Sequence, residues 1–231
     1  MNGALRPPAG AELLDDLAAD PDRVALSLQN IARSNRWFGG RSAVASALRK
    51  LLADARQGDR FTLLDVGTGL GDLPRAAVAW GERRGLVIQP FGLERHPAAA
   101  RLAFAAGLPT LLGCGAALPL RSRSVDLITV SQVAHHLEAE VLAALLTECD
   151  RVARRGVIVT DLRRSRFAQA GFWIGAHLLR FDPDTRSDGL RSIRRGFSAP
   201  ELIAALEGAG IRGHVWRHPM FRLVAAWQPV G

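Results

Sequence analysis

The chain of 231 residues contains no tyrosine, one lysine and two cysteines. Cys114 and Cys149 offer neither a disulfide framework nor a metal-ligand spacing, so a reduced, cytoplasmic protein with no metal is expected. No apolar run reaches the length of a membrane-spanning helix; Arg101 and Pro109 interrupt the best candidate. The opening residues, MNGALRPPAGAELLDD, lack the apolar core of a signal peptide. There is no internal repeat and no low-complexity linker. The absence of tyrosine also removes a ring that nucleic-acid readers use. What is present is arginine. Lys50 is the only lysine among 30 basic residues, which leaves 29 arginines, and the net charge is +8. Between Arg151 and Arg195, 11 arginines face only Asp161, Asp182, Asp184 and Asp188. Such a segment is either a solvated basic face or an attractor for an anionic partner.

The most informative stretch is Phe61 to Pro74, FTLLDVGTGLGDLP. Leu63, Leu64 and Val66 read as a strand covered on both faces. Gly67, Gly69 and Gly71 follow at every second position, where bare backbone admits a close ligand. Leu73, Ala76, Ala77 and Trp80 then fall on one helical face. A dinucleotide turn places pyrophosphate against the helix start. Here Asp72 stands where that phosphate would lie, and Asp65 precedes the turn. Both acids suit a cation such as the ammonium and sulfonium of S-adenosylmethionine (SAM). The next strand, Leu86 to Leu93, leads to Glu94, 23 residues beyond Gly71, where a carboxylate accepts from ribose hydroxyls.

These motifs, with GLERHP and SVDLITVSQVAHHL, resemble the class I SAM-dependent methyltransferases over roughly residues 60 to 162. The resemblance implies that Asp65, Gly67, Thr68, Gly69, Gly71 and Asp72 surround the amino-acid end of SAM. It assigns Glu94 to the ribose and Cys114 and Gly115 to the adenine, and it places Arg95 and Ser131 in the same cofactor crevice. The family often has an acid where Cys114 stands. Cysteine is a poor acceptor, so adenine would be held by backbone and by packing against Leu93, Arg95 or Leu118.

In chain order, residues 1 to 10 are expected to fray. Helices are expected over Ala11–Ala19 and Pro21–Arg33, the second capped by Asp20 with Pro21 in its first turn. Ser34 or Asn35 would stop that helix, and Gly39-Gly40 would hinge into a helix over Ala43–Ala55. Trp37 and Phe38 either wall an aromatic or prenyl-like substrate or staple a cap to the core. The NRWFGG segment that holds them resembles the stretch ahead of the core in quinone-biosynthesis methyltransferases. Further strands are expected at Thr110–Leu112, Val125–Val130, Gly156–Leu162, Ile211–Trp216 and Met220–Trp227. Helices Leu70–Arg84, Pro97–Ala106, Glu138–Ala153 and Phe167–Phe181 lie between them. Asp182–Arg195 reads as a polar loop, and Ser198 caps a helix with Pro200 and Glu201 in its first turn. The alternation predicts an α/β, Rossmann-like sheet of seven mainly parallel strands, with helices on both faces and an antiparallel C-terminal hairpin. Residues 1–58 would form a helical N-terminal cap and 59–231 the SAM-binding domain, with a substrate lid at about 163–197.

Methyl transfer needs alignment of the acceptor more than covalent help. A weakly acidic acceptor hydroxyl profits from a base. His135 and His136 are the candidates; neighbours cannot both face the crevice, so at most one is the base, and His135 is preferred. His177 is a third polar group on the substrate side. Arg163 and Arg164, with Arg191, Arg194 and Arg195, are placed to hold an acidic group on the acceptor. The expected activity is methylation, on oxygen or carbon, of an aromatic, quinone-like or polyketide-like small molecule by a monomer or homodimer. Three alternatives stay open. One is an RNA or DNA methyltransferase using the arginine-rich segment, although Ser131-Gln132-Val133 lacks the Asn/Asp-Pro-Pro-aromatic motif for base amines. Another is a SAM-binding protein without activity. The third is an NAD-dependent oxidoreductase, which Asp72 disfavours.

Overall fold

The fold grows from strand β1 (Arg60–Val66), whose Leu63 and Leu64 are fully buried. The computed structural model describes residues 12–229, so the expected fraying of residues 1–10 and the helix start at Ala11 lie outside the described residues. β2 (Val87–Glu94), β3 (Thr110–Leu112), β4 (Val125–Ser131) and β5 (Ala153–Leu162) join β1 in parallel. β7 (Arg222–Trp227) pairs antiparallel with both β5 and β6 (His214–His218). The order is β3-β2-β1-β4-β5-β7-β6, the expected seven-stranded, mainly parallel sheet closed by a hairpin.

Strand alternation sends side chains to two cores. Leu64, Val66, Ile128, Val130, Val157 and Val159 meet Leu142, Leu145 and Leu146 of α5 (Ala139–Val152) and Leu202 and Leu206 of α8 (Ala199–Gly208). Phe61, Leu63, Leu127 and Ile158 face the other way. They meet α2 (Gly40–Leu51), through Val44 and Leu48, and α3 (Asp72–Glu82), through Leu73 and Trp80. Each fully buried leucine contributes about 2 kcal/mol. Helix α2 is therefore part of the sheet's own layering. A third cluster, Val24 and Leu28 with Ala98 and Ala99, seats α1 (Pro21–Trp37) on α4 (Pro97–Ala105).

Four local expectations are corrected. Between Ala11 and Ala19 the described residues form only a 3-10 turn at Leu13–Asp15. The chain must reach the Asp20 cap of α1 five residues later, and the Asp15 carboxylate folds back onto the Glu12 N–H at 2.9 Å. Helix α1 runs on through Ser34 and Asn35 to Trp37, because the Asn35 side chain is engaged by tertiary partners instead of capping its own backbone. Helix α2 begins at Gly40, earlier than expected. The largest change is at the polar segment 182–195, which is helix α7 (Pro183–Arg195). Asp182 caps it by accepting from the Thr185 N–H at 3.0 Å, with Pro183 in the first turn. Its buried residues are Thr185 and Ile193, too few to give an apolar stripe. A Cβ on Gly189 would run into the Phe172 ring of α6 (Arg166–Leu178), so glycine there lets the two helices approach.

Candidate functional site

Above the carboxyl ends of β1, β2, β4 and β5 lies a cavity of about 390 Å³. The sheet edge forms its floor. Helices α1, α6 and α7 and the turn at Leu13–Asp15 enclose it. This is where an open α/β sheet binds ligands, because the strand ends and helix starts leave a crevice there.

The glycine turn is built for close approach. Gly67 has φ 71°, and a Cβ on it would run into Val133. Gly67 and Gly69 line the cavity. Gly71 does not, although it was expected at the cofactor. It precedes α3 with φ 70°, and a Cβ there would lie 2.6 Å from Leu108. Its constraint is backbone conformation and packing.

Asp65 is buried and holds the turn from below. Its oxygens accept from Thr129 Oγ1 at 2.5 Å and from Thr68 Oγ1 at 2.9 Å. Burial raises its pKa to about 7, with both threonine bonds opposing and the charges of Asp72 and Glu94 adding to the rise. Thr68 fits because Gly92 lies opposite Asp65 in the register, and a Cβ there would be 2.5 Å from Thr68 Cγ2. Glu94 accepts from the Gly69 N–H at 2.9 Å, and also from the N–H groups of Arg95 and His96 at 2.8 and 3.0 Å. The end of β2 is thereby tied to the turn.

Asp72 is buried on the cavity wall. Its Oδ1 lies 3.4 Å from Asn35 Nδ2, while its Oδ2 has no hydrogen-bond partner and is 3.8 Å from Arg41 Nε. Burial raises its pKa, and Asn35, Arg41 and Arg75 only partly oppose that. Gln132 donates to Asn35 Oδ1 at 2.7 Å, which links the end of β4, α1 and α3 in one polar chain. Sequence reasoning missed Asn35 and Gln132. The left-handed backbone of Gln132, φ 58°, leaves no trace in residue type.

On the adenine side, Arg95, exposed Cys114 and Gly115 line the cavity. Ser131 does too, with its hydroxyl 2.7 Å from Thr160 Oγ1. Gly115 fits under Leu145 and Val66, which a Cβ would approach to 2.7 and 2.8 Å.

The two candidate bases both reach the cavity wall. His135 is buried. Its Nδ1 is 2.6 Å from Asp161 Oδ1 and its backbone N–H donates to Asp161 Oδ2. Burial alone would raise the Asp161 carboxyl. The charge and N–H of His135 outweigh it and hold the pKa below its ordinary value. His136 Nδ1 lies 3.2 Å from Asp15 Oδ1 and 3.2 Å from Arg195 Nη1. Glu12, His135 and His136 bring ligand-type atoms within 4.8 Å of one another. Arg195 Nη1 already supplies positive charge there, 3.3 Å from Glu12 Oε1 and 3.3 Å from Asp15 Oδ2.

Of the substrate candidates, only Phe38 lines the cavity, edge-to-face with Phe172 at 5.9 Å between centroids. Trp37 is 59% exposed and does not line it. Arg164 pairs with Glu201 on the outer side of α8. His177 is exposed, with Nδ1 2.7 Å from the Trp173 carbonyl. These three were expected at the substrate, and the structure places none of them on the cavity wall. One-residue shifts around a helix are enough to turn a side chain outward.

The cavity suits a cationic nucleoside. Asp65, Asp72 and Glu94 cluster at its bare-backbone end and would repel a pyrophosphate. This sheet order, with its closing hairpin, is the fold of the class I SAM-dependent methyltransferases. Residues 64–160 match the family model described as a methyltransferase domain. The chain is similar to a SAM-dependent methyltransferase from Aquifex aeolicus, with TM-score 0.59 and 21% identity, covering 91% of this chain and 99% of that one. A provisionally assigned methyltransferase of the same cofactor from Methanococcus maripaludis gives TM-score 0.65 at 13% identity, covering 96% and 98%. Magnesium protoporphyrin IX methyltransferase from Synechocystis PCC 6803, solved with bound S-adenosylhomocysteine (SAH), gives TM-score 0.54 at 14% identity, covering 83% and 84%. No curated protein matches the chain. Residues 64–160 thus carry a methyltransferase domain, and the chain shares its fold with SAM-dependent methyltransferases, among them one solved with SAM or SAH bound.

Proposed function

We propose that the protein methylates a small, largely apolar acceptor, on oxygen or carbon, inside the cavity that also takes SAM. The observation that carries this reading is the continuity of the cavity. From the glycine turn it runs without a break to walls made by Phe38, Phe172, Phe181 and Ile193. Such a chamber, enclosed by α1, α6 and α7, suits an aromatic, quinone-like or polyketide-like molecule. The structural neighbour from Synechocystis that methylates magnesium protoporphyrin IX points the same way.

Bound SAM supplies an activated methyl group on a sulfonium. The protein's own share is alignment and proton handling. Asp161 accepts from Nδ1–H of His135 and so leaves Nε2 as the basic nitrogen toward the cavity wall. His135 is therefore our candidate base for an acceptor hydroxyl. His136, held between Asp15 and Arg195, is the weaker candidate. Asp65, Thr68, Gly69 and Glu94 fix the cofactor turn, and Asp72 Oδ2 is placed to receive a cationic group.

Action on RNA or DNA draws less support. Six of the eleven arginines between 151 and 195 have carboxylate partners: Arg151 with Glu148, Arg154 with Asp126, Arg155 with Asp54, Arg164 with Glu201, Arg191 with Asp188 and Arg195 with Glu12. Much of the segment's charge is thus spent within the protein. Among the described residues no helix is long and apolar enough to cross a membrane. The test is incubation with SAM and a panel of phenols, quinols and polyketide-like acids, read by mass spectrometry for a gain of one methyl group. A salt-sensitive gel shift, with methyl incorporation into nucleic acid and none into the panel, would overturn the reading.

A further inference from the structure

Arg222 opens strand β7, opposite Leu162 of β5 and His218 of β6. It is 1% exposed and lines the cavity. Its Nε donates to the Phe38 carbonyl at 2.9 Å, while its Nη1 has no hydrogen-bond partner. Among the described residues it forms no ion pair. The charges it feels most are Asp161 and Asp72. Asp161 is committed to His135 and to the Leu162 N–H, while Asp72 engages Asn35 through Oδ1 and has its Oδ2 3.8 Å from Arg41 Nε. Burial lowers the Arg222 pKa only to about 10, so the guanidinium is charged at neutral pH.

A buried charge is ordinarily paired, because its desolvation is otherwise uncompensated. Asp161 and Asp72 act on Arg222 through space, but neither hydrogen-bonds to it, so its Nη1 is left for a bound molecule to pair. The preceding turn supports a functional placement. Met220 and Phe221 both adopt left-handed backbone, φ 58° and 56°, although neither is glycine, and both line the cavity. Strain of this kind persists where the surrounding structure holds a site in place.

We propose that Arg222 is an anion-binding residue of the cavity, its Nη1 receiving a carboxylate oxygen of a bound molecule. A planar fork of donors matches a carboxylate better than a point charge does. Two molecules bring that group: the methionine end of the cofactor and an acidic acceptor. Only the first source rests on the methyl-transfer reading above.

The experiment is calorimetric titration of wild type, Arg222→Lys and Arg222→Met. The probes are SAH, 5′-methylthioadenosine (which lacks the amino-acid end), benzoate and its neutral isostere benzamide. If the cofactor is the source, Arg222→Met weakens SAH about tenfold or more, the scale of a lost charge-assisted bond, and leaves methylthioadenosine unchanged. If the acceptor is the source, SAH is unaffected. Benzoate then binds wild type but not Arg222→Met, and benzamide binds neither. Arg222→Lys falls between in both cases. Should Arg222→Met fail to fold, the Nε–H resonance of Arg222 in the wild type decides, by shifting or not shifting on addition of SAH or benzoate. The proposal is overturned if SAH binds wild type and Arg222→Met equally while benzoate binds both alike or neither. A wild type that takes benzoate through Arg222 but ignores SAH would instead sink the methyl-transfer reading and leave the anion site standing.

Discussion

Asp161 accepts from His135 twice, from the ring at 2.6 Å and from the backbone N–H at 3.1 Å, and both side chains are almost fully buried. The pair joins the end of β5 to the turn after β4, so it orients His135 and also locks two strands together. Asp161→Asn is expected to cost about 3–5 kcal/mol, the scale of breaking a buried pair, measured by urea denaturation. The folded pKa of Asp161 lies below its ordinary 3.8. Its contribution is therefore complete above about pH 4 and lost as pH falls through the folded value. A stability that does not decline on acidification through that window would contradict the pairing. His135→Gln should lower turnover while SAH affinity is kept; equal loss of both would assign His135 to structure alone.

Asp65 titrates in the opposite sense. Its folded pKa near 7 exceeds the unfolded value, so the stability it confers is present at low pH and declines as pH rises from about 4 to 7. A cationic ligand prefers the ionised carboxylate. The affinity for SAM relative to neutral SAH should therefore rise by about fivefold or more between pH 6 and pH 8. Calorimetry in buffers of different ionisation enthalpy should register proton release on SAM binding below pH 7. Asp65→Asn should flatten the pH dependence.

The turn itself is testable by adding one carbon. Gly67→Ala forces a Cβ into Val133 at a positive φ, and about 1–3 kcal/mol of stability is expected to be lost together with SAH binding. Gly208→Ala meets nothing within 4 Å and serves as the control, with a change within about 0.5 kcal/mol. A neutral Gly67→Ala in thermal unfolding would mean that the turn is not the constrained element.

Residues placed off the cavity should behave so. Trp37→Ala, Arg164→Ala and His177→Ala are expected to leave SAH affinity and turnover near wild type. Arg164→Ala removes a partly exposed ion pair worth about 1 kcal/mol at most. Phe38→Ala, by contrast, should raise KM for whichever acceptor the mass-spectrometric panel identifies. A fall in SAH affinity in any of the first three would show that the chamber extends further than its walls indicate.

Much of this protein is written locally. The apolar run Leu63 to Val66, the spaced glycines, the Asp20-Pro21 and Ser198-Pro200 caps, and Glu94 at a strand end all report on nearest neighbours in the chain. Such signals fix strand, turn and helix because backbone preference and burial period act over a few residues. They carried the mainly parallel sheet with its closing hairpin and the glycine turn that lines the cavity. Helix α7 escaped because Ile193 is the one apolar residue it buries, beside Thr185, which is too little to make an apolar stripe.

The sequence by itself determined a parallel sheet with an acid-ringed glycine turn. Only the tertiary structure decided which arginine is left facing the cavity. Of the five arginines that looked poised, Arg164, Arg191 and Arg195 are neutralised by carboxylates distant in the chain or a turn away, and Arg163 lies over the Phe221 ring; neither Arg163 nor Arg194 lines the cavity. Arg222, unremarkable within its strand, is the one sealed against the cavity with Nη1 unpartnered. Charge pairing is set by distances across the fold, and a linear pattern does not contain them.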